Sequence, residues 1–125
     1  MKILLLMALF AFPALARADI VYRCRSTGAE DLSVTLRFDE RGRSGRLEVD
    51  RWDSYPPTPL LYADLKGPSV ARGLAIYPSE LDPNSGAQGE VSLPLNFLKE
   101  SDFLGTLTLA RLAKSASYPI ACERF

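Results

Sequence analysis

Apolar and polar residues alternate along much of the chain, and this period-two pattern restricts the fold more than any other feature of the sequence. In residues 32–38 every second residue is apolar, and residues 46–50 alternate in the same way. A glycine-containing stretch, residues 41–45, separates the two runs. Such alternation is typical of strands with one buried and one solvated face, and a short turn between two such runs predicts a β-hairpin.

Six further segments predict strands, and turn-forming residues separate them: 20–25, 60–65, 73–77, 90–95, 104–110 and 118–123. Helix is expected only in short pieces, because residues 97–102 fit a single turn and residues 110–116 contain helix formers without a cap. About eight short strands without a long helix predict an all-β fold, either one small antiparallel β-barrel or a closely related sandwich. Of these two we expect the barrel.

The first 18 residues have the features of a secretory signal peptide. Lys2 precedes an apolar run over residues 3–12, and residues 16–18 read Ala-Arg-Ala, a small-residue cleavage site. The run is short against the roughly 20 residues that a membrane-spanning helix needs. We therefore predict a signal peptide over residues 1–18 that is removed, and a single β domain over residues 19–125. The protein is expected in the periplasm or secreted, without stable membrane insertion.

The only two cysteines, Cys24 and Cys122, lie near the two ends of the predicted exported chain. Two cysteines in an oxidising compartment allow one intramolecular disulfide. They fall on the first and last predicted strands, which become neighbours when a sheet closes into a barrel. A redox-active pair is the alternative, but such pairs usually have the spacing Cys-x-x-Cys. We predict a structural disulfide, which the chain-entropy model values at on the order of 4–5 kcal/mol.

The chain contains no histidine. This excludes Ser-His-Asp and Cys-His catalysis and removes the commonest transition-metal ligand. With both cysteines in a disulfide, zinc and copper sites are not expected. Residues 80–85 contain oxygen ligands but lack the Asp-x-Asp-x-Asp-Gly order of a calcium loop, so we interpret them as a turn. The sequence predicts a protein that is not an enzyme and has no cofactor or metal.

The charges of the predicted exported chain are nearly balanced. Lys2 and Arg17 leave with the leader, so 13 basic residues face 15 acidic ones and the formal net charge is −2. This balance does not favour a nucleic-acid partner. Residues 37–53 contain five arginines interleaved with acids, which is typical of a solvated face; the alternative is a surface for acidic groups of a partner.

Two predicted loops carry candidate partner-binding residues. Residues 51–59 include Arg51, Trp52 and Tyr55 together with three prolines. Tryptophan, tyrosine and arginine are enriched in interface hot spots, and prolines reduce the entropy lost on binding. Trp52 has an alternative role as a core residue that closes one end of the barrel. The second loop, residues 77–89, contains Ser85 and is long for a barrel connection, a feature of functional loops.

Several short motifs agree with one known family. Tyr22-x-Cys24 is followed by a glycine at position 28 and by the alternating run over residues 32–36, and Ser85-Gly86-Ala87 precedes the strand-like residues 105–109. In these motifs the chain resembles the small bacterial periplasmic or membrane-bound inhibitors of c-type lysozyme.

The resemblance implies a compact antiparallel barrel in which a loop serine and a nearby lysine enter the active-site cleft of lysozyme. Ser85 is the residue that carries over. The lysine motif differs, since the tryptophan before a Lys-Gly pair is missing and Lys99 is followed by Glu100.

These features together predict an exported, non-enzymatic β-barrel binding module, monomeric, whose partner is a protein such as a lysozyme. Two other classes of function stay open. Eight-stranded barrels can enclose a small apolar ligand, so the chain could be a carrier. It could also be an envelope-associated structural protein without a discrete site.

Overall fold

The computed structural model describes residues 19–28, 31–52 and 55–125, which are mostly β-strand. The predicted leader lies outside the described residues. Nine strands and one short 3-10 helix follow each other in the order β1 (Ile20–Ser26), β2 (Leu32–Phe38), β3 (Gly45–Arg51), β4 (Thr58–Leu65), β5 (Ser69–Ala71), β6 (Leu74–Pro78), β7 (Ala87–Pro94), the 3-10 helix (Phe97–Lys99), β8 (Asp102–Arg111) and β9 (Lys114–Arg124).

All nine strands belong to one curled antiparallel sheet with the order β4-β3-β2-β1-β9-β8-β7-β6-β5. Neighbouring strands are consecutive along the chain except at the centre, where β1 pairs with β9 as well as with β2, and the consecutive strands β4 and β5 lie at the two edges. The first and last strands therefore lie side by side. The predicted all-β, barrel-like fold is confirmed, with nine strands because β5 adds one that the alternation does not show.

The disulfide between Cys24 and Cys122 is confirmed. The two residues are register partners on β1 and β9, with their α-carbons 3.9 Å apart and both side chains buried. The bond closes a loop with a sequence separation of 98 residues. It thus joins the two termini of the described chain at the centre of the sheet.

The outer edge of β4 curls round to meet the segment that follows β6. The Lys66 N–H donates to the Pro78 carbonyl (2.7 Å), and the Glu80 N–H donates to the Asp64 carbonyl (2.9 Å). Leu65 forms an isolated antiparallel bridge with Ser79 between these two bonds. We call this short contact the seam. It brings the two halves of the sheet together around a shared interior.

The interior is packed with the apolar residues of the alternating strands. Five aromatic rings form one cluster there, with centroids 4.9–6.0 Å apart in each contacting pair: Tyr22, Phe38, Tyr77, Phe97 and Phe103. Both buried phenols are satisfied, because the Tyr22 hydroxyl donates to the Phe97 carbonyl (2.8 Å) and the Tyr77 hydroxyl to the Gly42 carbonyl (2.7 Å). Burial and the nearby Asp39 carboxylate raise the pKa of Tyr77 to about 12.

The sequence allows a short helix in two segments, and only one of them is helical in the structure. The single turn expected over residues 97–102 is present as the 3-10 helix Phe97–Lys99. The helix formers of residues 110–116 instead make the ends and turn of the β8–β9 hairpin, with Leu112 at a φ of 57°. The backbone ladder between β8 and β9 extends to the pair Arg111 and Lys114 and closes that turn, whereas a short uncapped helix has little stability of its own.

Among the described residues, no helix is both long enough and apolar enough to cross a lipid bilayer.

Candidate functional site

A groove of about 570 Å³ opens at the end of the sheet where β3 and β8 finish and β4 begins. We call it the end groove. It brings together two of the predicted binding residues from different loops, Arg51 and Ser85, and adds a second guanidinium. Its lining is Arg51, Thr58, Pro59, Leu60, Tyr62, Asp82, Asn84, Ser85 and Arg111.

The loop that supplies Ser85 is held rigidly by Asp82. The Asp82 side chain accepts hydrogen bonds from the N–H of Tyr62 and the N–H of Asn84, both at 2.9 Å. The Asp82 backbone also bonds at both ends, since its N–H donates to the Ala87 carbonyl and its carbonyl accepts from Gly86. Gly86 has a φ of 71°, which glycine adopts without steric cost. The turn interpretation of residues 80–85 is therefore correct.

Both oxygens of the Asp82 carboxylate are occupied by hydrogen bonds to the backbone. The N–H groups of Tyr62 and Asn84, together with Ser85, favour its charged form and lower the pKa of Asp82 below its usual value. The residue is only 5 % exposed, and its side chain bonds to the backbone of β4 at Tyr62 and to the turn at Asn84. Asp82 thus orders the loop and offers little of its charge to a ligand.

Arg111 presents a positive charge to solvent in the end groove. Arg51 is half-buried and Arg111 is exposed at the end of β8. Tyr62 also lines the groove, and its hydroxyl donates to Asp50 at 2.6 Å, a bond that raises the pKa of Tyr62 to about 12. Two guanidinium groups, Ser85 and Asn84 therefore line the same groove.

The remaining predicted binding residues lie elsewhere. Trp52 is 46 % exposed and lines a second groove, on the outer face of the sheet, so its alternative role in the core is wrong. Tyr55 is 89 % exposed, precedes a cis peptide bond to Pro56, and lines neither groove. Arg51, Thr58 and Pro59 therefore line the end groove with Ser85, whereas Trp52 and Tyr55 do not.

Lys99 does not serve as the cation beside Ser85. Ser85 precedes the start of β7, whereas Lys99 follows its end. The eight residues of β7 span roughly 25 Å in an extended strand, so the two side chains lie at opposite ends of the sheet. Arg111 lines the end groove with Ser85, and the sequence did not single it out because it lies at the end of a strand 26 positions away. Register supplies the contact, since Arg111 pairs with Ala87.

The interior of the sheet is occupied by side chains. Twelve large residues, among them Leu47, Leu61 and Leu93, are less than 2 % exposed. A methyl group added to Gly89 of β7 would lie 2.6 Å from a methyl carbon of Leu61 across the barrel. The space that an apolar ligand would need is taken by the core, which argues against the carrier.

Within residues 19–28, 31–52 and 55–125, no cluster of three or more histidine, cysteine or acidic side chains is placed to hold a metal ion. Comparison with known proteins gives no matching family model and no matching curated protein.

Proposed function

We propose that the mature chain is an exported, non-enzymatic binding module that uses the end groove to bind a carboxylate-bearing surface of a protein partner. The observation that carries this proposal is the convergence of Arg51, Arg111 and Ser85 in one groove, although they come from three separate parts of the chain. Arginine donates bidentate, charge-assisted hydrogen bonds to carboxylates.

The order within the loop favours binding. Asp82 fixes the turn before any partner arrives, and the Ser85 hydroxyl accepts from the N–H of Ala87 at 3.2 Å. A loop that is already ordered loses less conformational entropy when it binds. The disulfide and the signal-like leader support placing the protein in the periplasm or outside the cell, because disulfides persist in oxidising compartments.

The resemblance to inhibitors of c-type lysozyme points to a specific protein partner. Retaining glycosidases such as lysozyme hold two carboxyl groups on either side of the scissile bond. The end groove offers two guanidiniums and Ser85 to such a pair. In this chain Arg111 takes the place that the family gives to a lysine. The proposed target is therefore the acidic active-site cleft of a c-type lysozyme.

A lysozyme activity assay on bacterial cell walls tests the proposal. Mature wild-type protein is expected to inhibit a c-type lysozyme at micromolar concentration. Arg111→Ala is expected to weaken inhibition about tenfold or more, because a charge-assisted hydrogen bond is worth about 1.5–3 kcal/mol. Lys99→Ala removes one positive charge at the opposite end of the sheet and is expected to inhibit like the wild type. Absence of inhibition by the wild-type protein contradicts a lysozyme partner, and equal loss in both variants contradicts the end groove.

A further inference from the structure

The second groove lies on the outer face of the sheet, across β2, β1, β9 and β8, and encloses about 890 Å³. We call it the outer groove. It is separate from the end groove, and its lining shares no residue with it. Trp52, the only tryptophan of the chain, lies at its margin.

The strand register builds the outer groove from two parallel rows of outward side chains. One row crosses the sheet as Ser33, Arg25, Ala121 and Leu104, each the register partner of the next. The small side chain of Ala121 stands between the longer side chains of Arg25 and Leu104. This difference in length makes a depression in a sheet face that would otherwise be level.

The second row supplies polar groups of both signs. Arg23 on β1 is the register partner of Glu123 on β9, which in turn partners Asp102 on β8. With Arg25, the groove holds two guanidiniums and two carboxylates, so its formal charges cancel. A strongly charged ligand gains little from such a lining. A neutral ligand with many hydroxyl groups finds donors in the arginines and acceptors in the carboxylates.

Trp52 and Leu104 supply the apolar part. The Trp52 side chain is 46 % exposed and Leu104 is 72 % exposed. The Trp52 N–H donates to the Asp31 carbonyl at 2.9 Å, which holds the backbone of the tryptophan at the start of β2. The face of an indole ring packs well against the C–H face of a sugar ring, while the sugar hydroxyls stay free for polar partners.

We propose that the outer groove binds a neutral oligosaccharide, with one sugar ring on Trp52 and its neighbours along the row over Ala121. The volume lies within the range of about 300–1,000 Å³ that small-molecule sites occupy. The balanced charges favour a neutral glycan over an anionic glycan or a charged peptide. This site is independent of the proposed function, since neither Arg111 nor Ser85 belongs to it.

The emission of Trp52 reports binding directly, because no other tryptophan contributes to the fluorescence. Mature protein is titrated with two neutral β-1,4-linked tetrasaccharides, one of glucose and one of N-acetylglucosamine, and with an oligogalacturonate of the same length as the anionic comparison. Calorimetry on the same samples measures affinity without relying on the fluorophore. The expected result is a saturable change in emission and a measurable Kd for at least one neutral glycan, and weaker binding of the anionic one.

Two variants on β9 localise the binding. Ala121→Leu fills the floor of the groove with an exposed side chain and is expected to raise the Kd at least tenfold. Ala116→Leu makes the same change at an exposed position of β9 outside the groove and is expected to bind like the wild type. Arg111→Ala should leave glycan binding unchanged. Two results of the titrations would overturn the proposal: no binding of either neutral glycan at millimolar concentration, or tighter binding of the anionic glycan. Equal glycan affinity of Ala121→Leu and Ala116→Leu would also overturn it.

Discussion

At position 82 a carboxylate extends the row of hydrogen bonds along the seam. On the edge of β4, Lys66 and Asp64 bond to the backbone of the segment after β6, and the next N–H on that edge, that of Tyr62, donates to the Asp82 side chain. The same carboxylate orders the turn that carries Ser85 through the N–H of Asn84. One buried side chain therefore links the closure of the sheet to the shape of the end groove.

This role makes stability depend on pH. The folded-state pKa of Asp82 is lowered, mainly by the N–H of Tyr62 and that of Asn84. A carboxyl with a lowered pKa stabilises the fold above its unfolded pKa, about 3.9, and that contribution is lost as pH falls through the folded pKa. We expect the free energy of unfolding of the wild type to fall in this acidic range and Asp82→Asn to show a shallower dependence.

Urea unfolding of both proteins over a series of pH values, followed by circular dichroism, measures this difference. Asp82→Asn should also be less stable than the wild type near neutral pH, since an amide nitrogen cannot accept the bond from Tyr62 or Asn84. Two parallel stability curves would show that the Asp82 carboxylate is not the group responsible.

At the residue scale, some positions could be predicted from the sequence and others could not, for a physical reason. Cys24 and Cys122 were identifiable because compartment and spacing point to them. Arg111 and Asp82 were not, because their roles depend on which strands become neighbours. Trp52 has the same local sequence whether it packs inside or outside, and only the end of β3 decides that it faces solvent.

Among the elements, strands with one buried and one solvent-exposed face were predictable from the sequence, and β5 was not. The alternating runs gave β2 with its observed bounds and the other strands with ends shifted by up to four residues. β5 was not predicted because its three residues are all exposed, so no alternation of apolar and polar residues marks them. β7 begins earlier than expected, at Ala87. Gly89 faces the interior, where Leu61 and Leu47 leave no room for a side chain, so no large apolar residue marks this part of the strand in the sequence.

The pairing of β1 with β9 yields a stability prediction. A disulfide closing a loop of about 100 residues restricts the unfolded chain, and the chain-entropy model gives about 4–5 kcal/mol for this restriction. The double variant Cys24→Ala/Cys122→Ala is expected to unfold at a lower urea concentration by a corresponding amount. Equilibrium urea unfolding of the variant and of the oxidised wild type makes the comparison.

Reduced wild-type protein serves as the control, because it retains both sulfur atoms and loses only the bond. It should unfold close to the double variant. If the oxidised wild type, the reduced wild type and the variant all unfold at the same urea concentration, the bond does not stabilise the molecule. Mass spectrometry after alkylation, with and without reduction, checks that the bond is present in the oxidised sample.

For the whole molecule, the structure places two distinct grooves on one small sheet. The end groove carries Arg51 and Arg111 and suits an anionic group, whereas the outer groove has balanced charges and an exposed Trp52. The packed interior serves to hold these surfaces in place. The class of the fold followed from the sequence, while the composition of each groove required the register between strands that are distant along the chain.

A double-mutant cycle tests the central claim most directly, with Kd measured by calorimetry. Wild type and Arg111→Ala are each combined with a c-type lysozyme and with its variants in which one catalytic carboxyl is replaced by an amide. If Arg111 contacts a catalytic carboxylate, the two changes are not additive, and we predict a coupling energy of about 1.5 kcal/mol or more with one of them. Tight binding with additive effects for both carboxyl variants, or no binding of the wild type, would contradict the account.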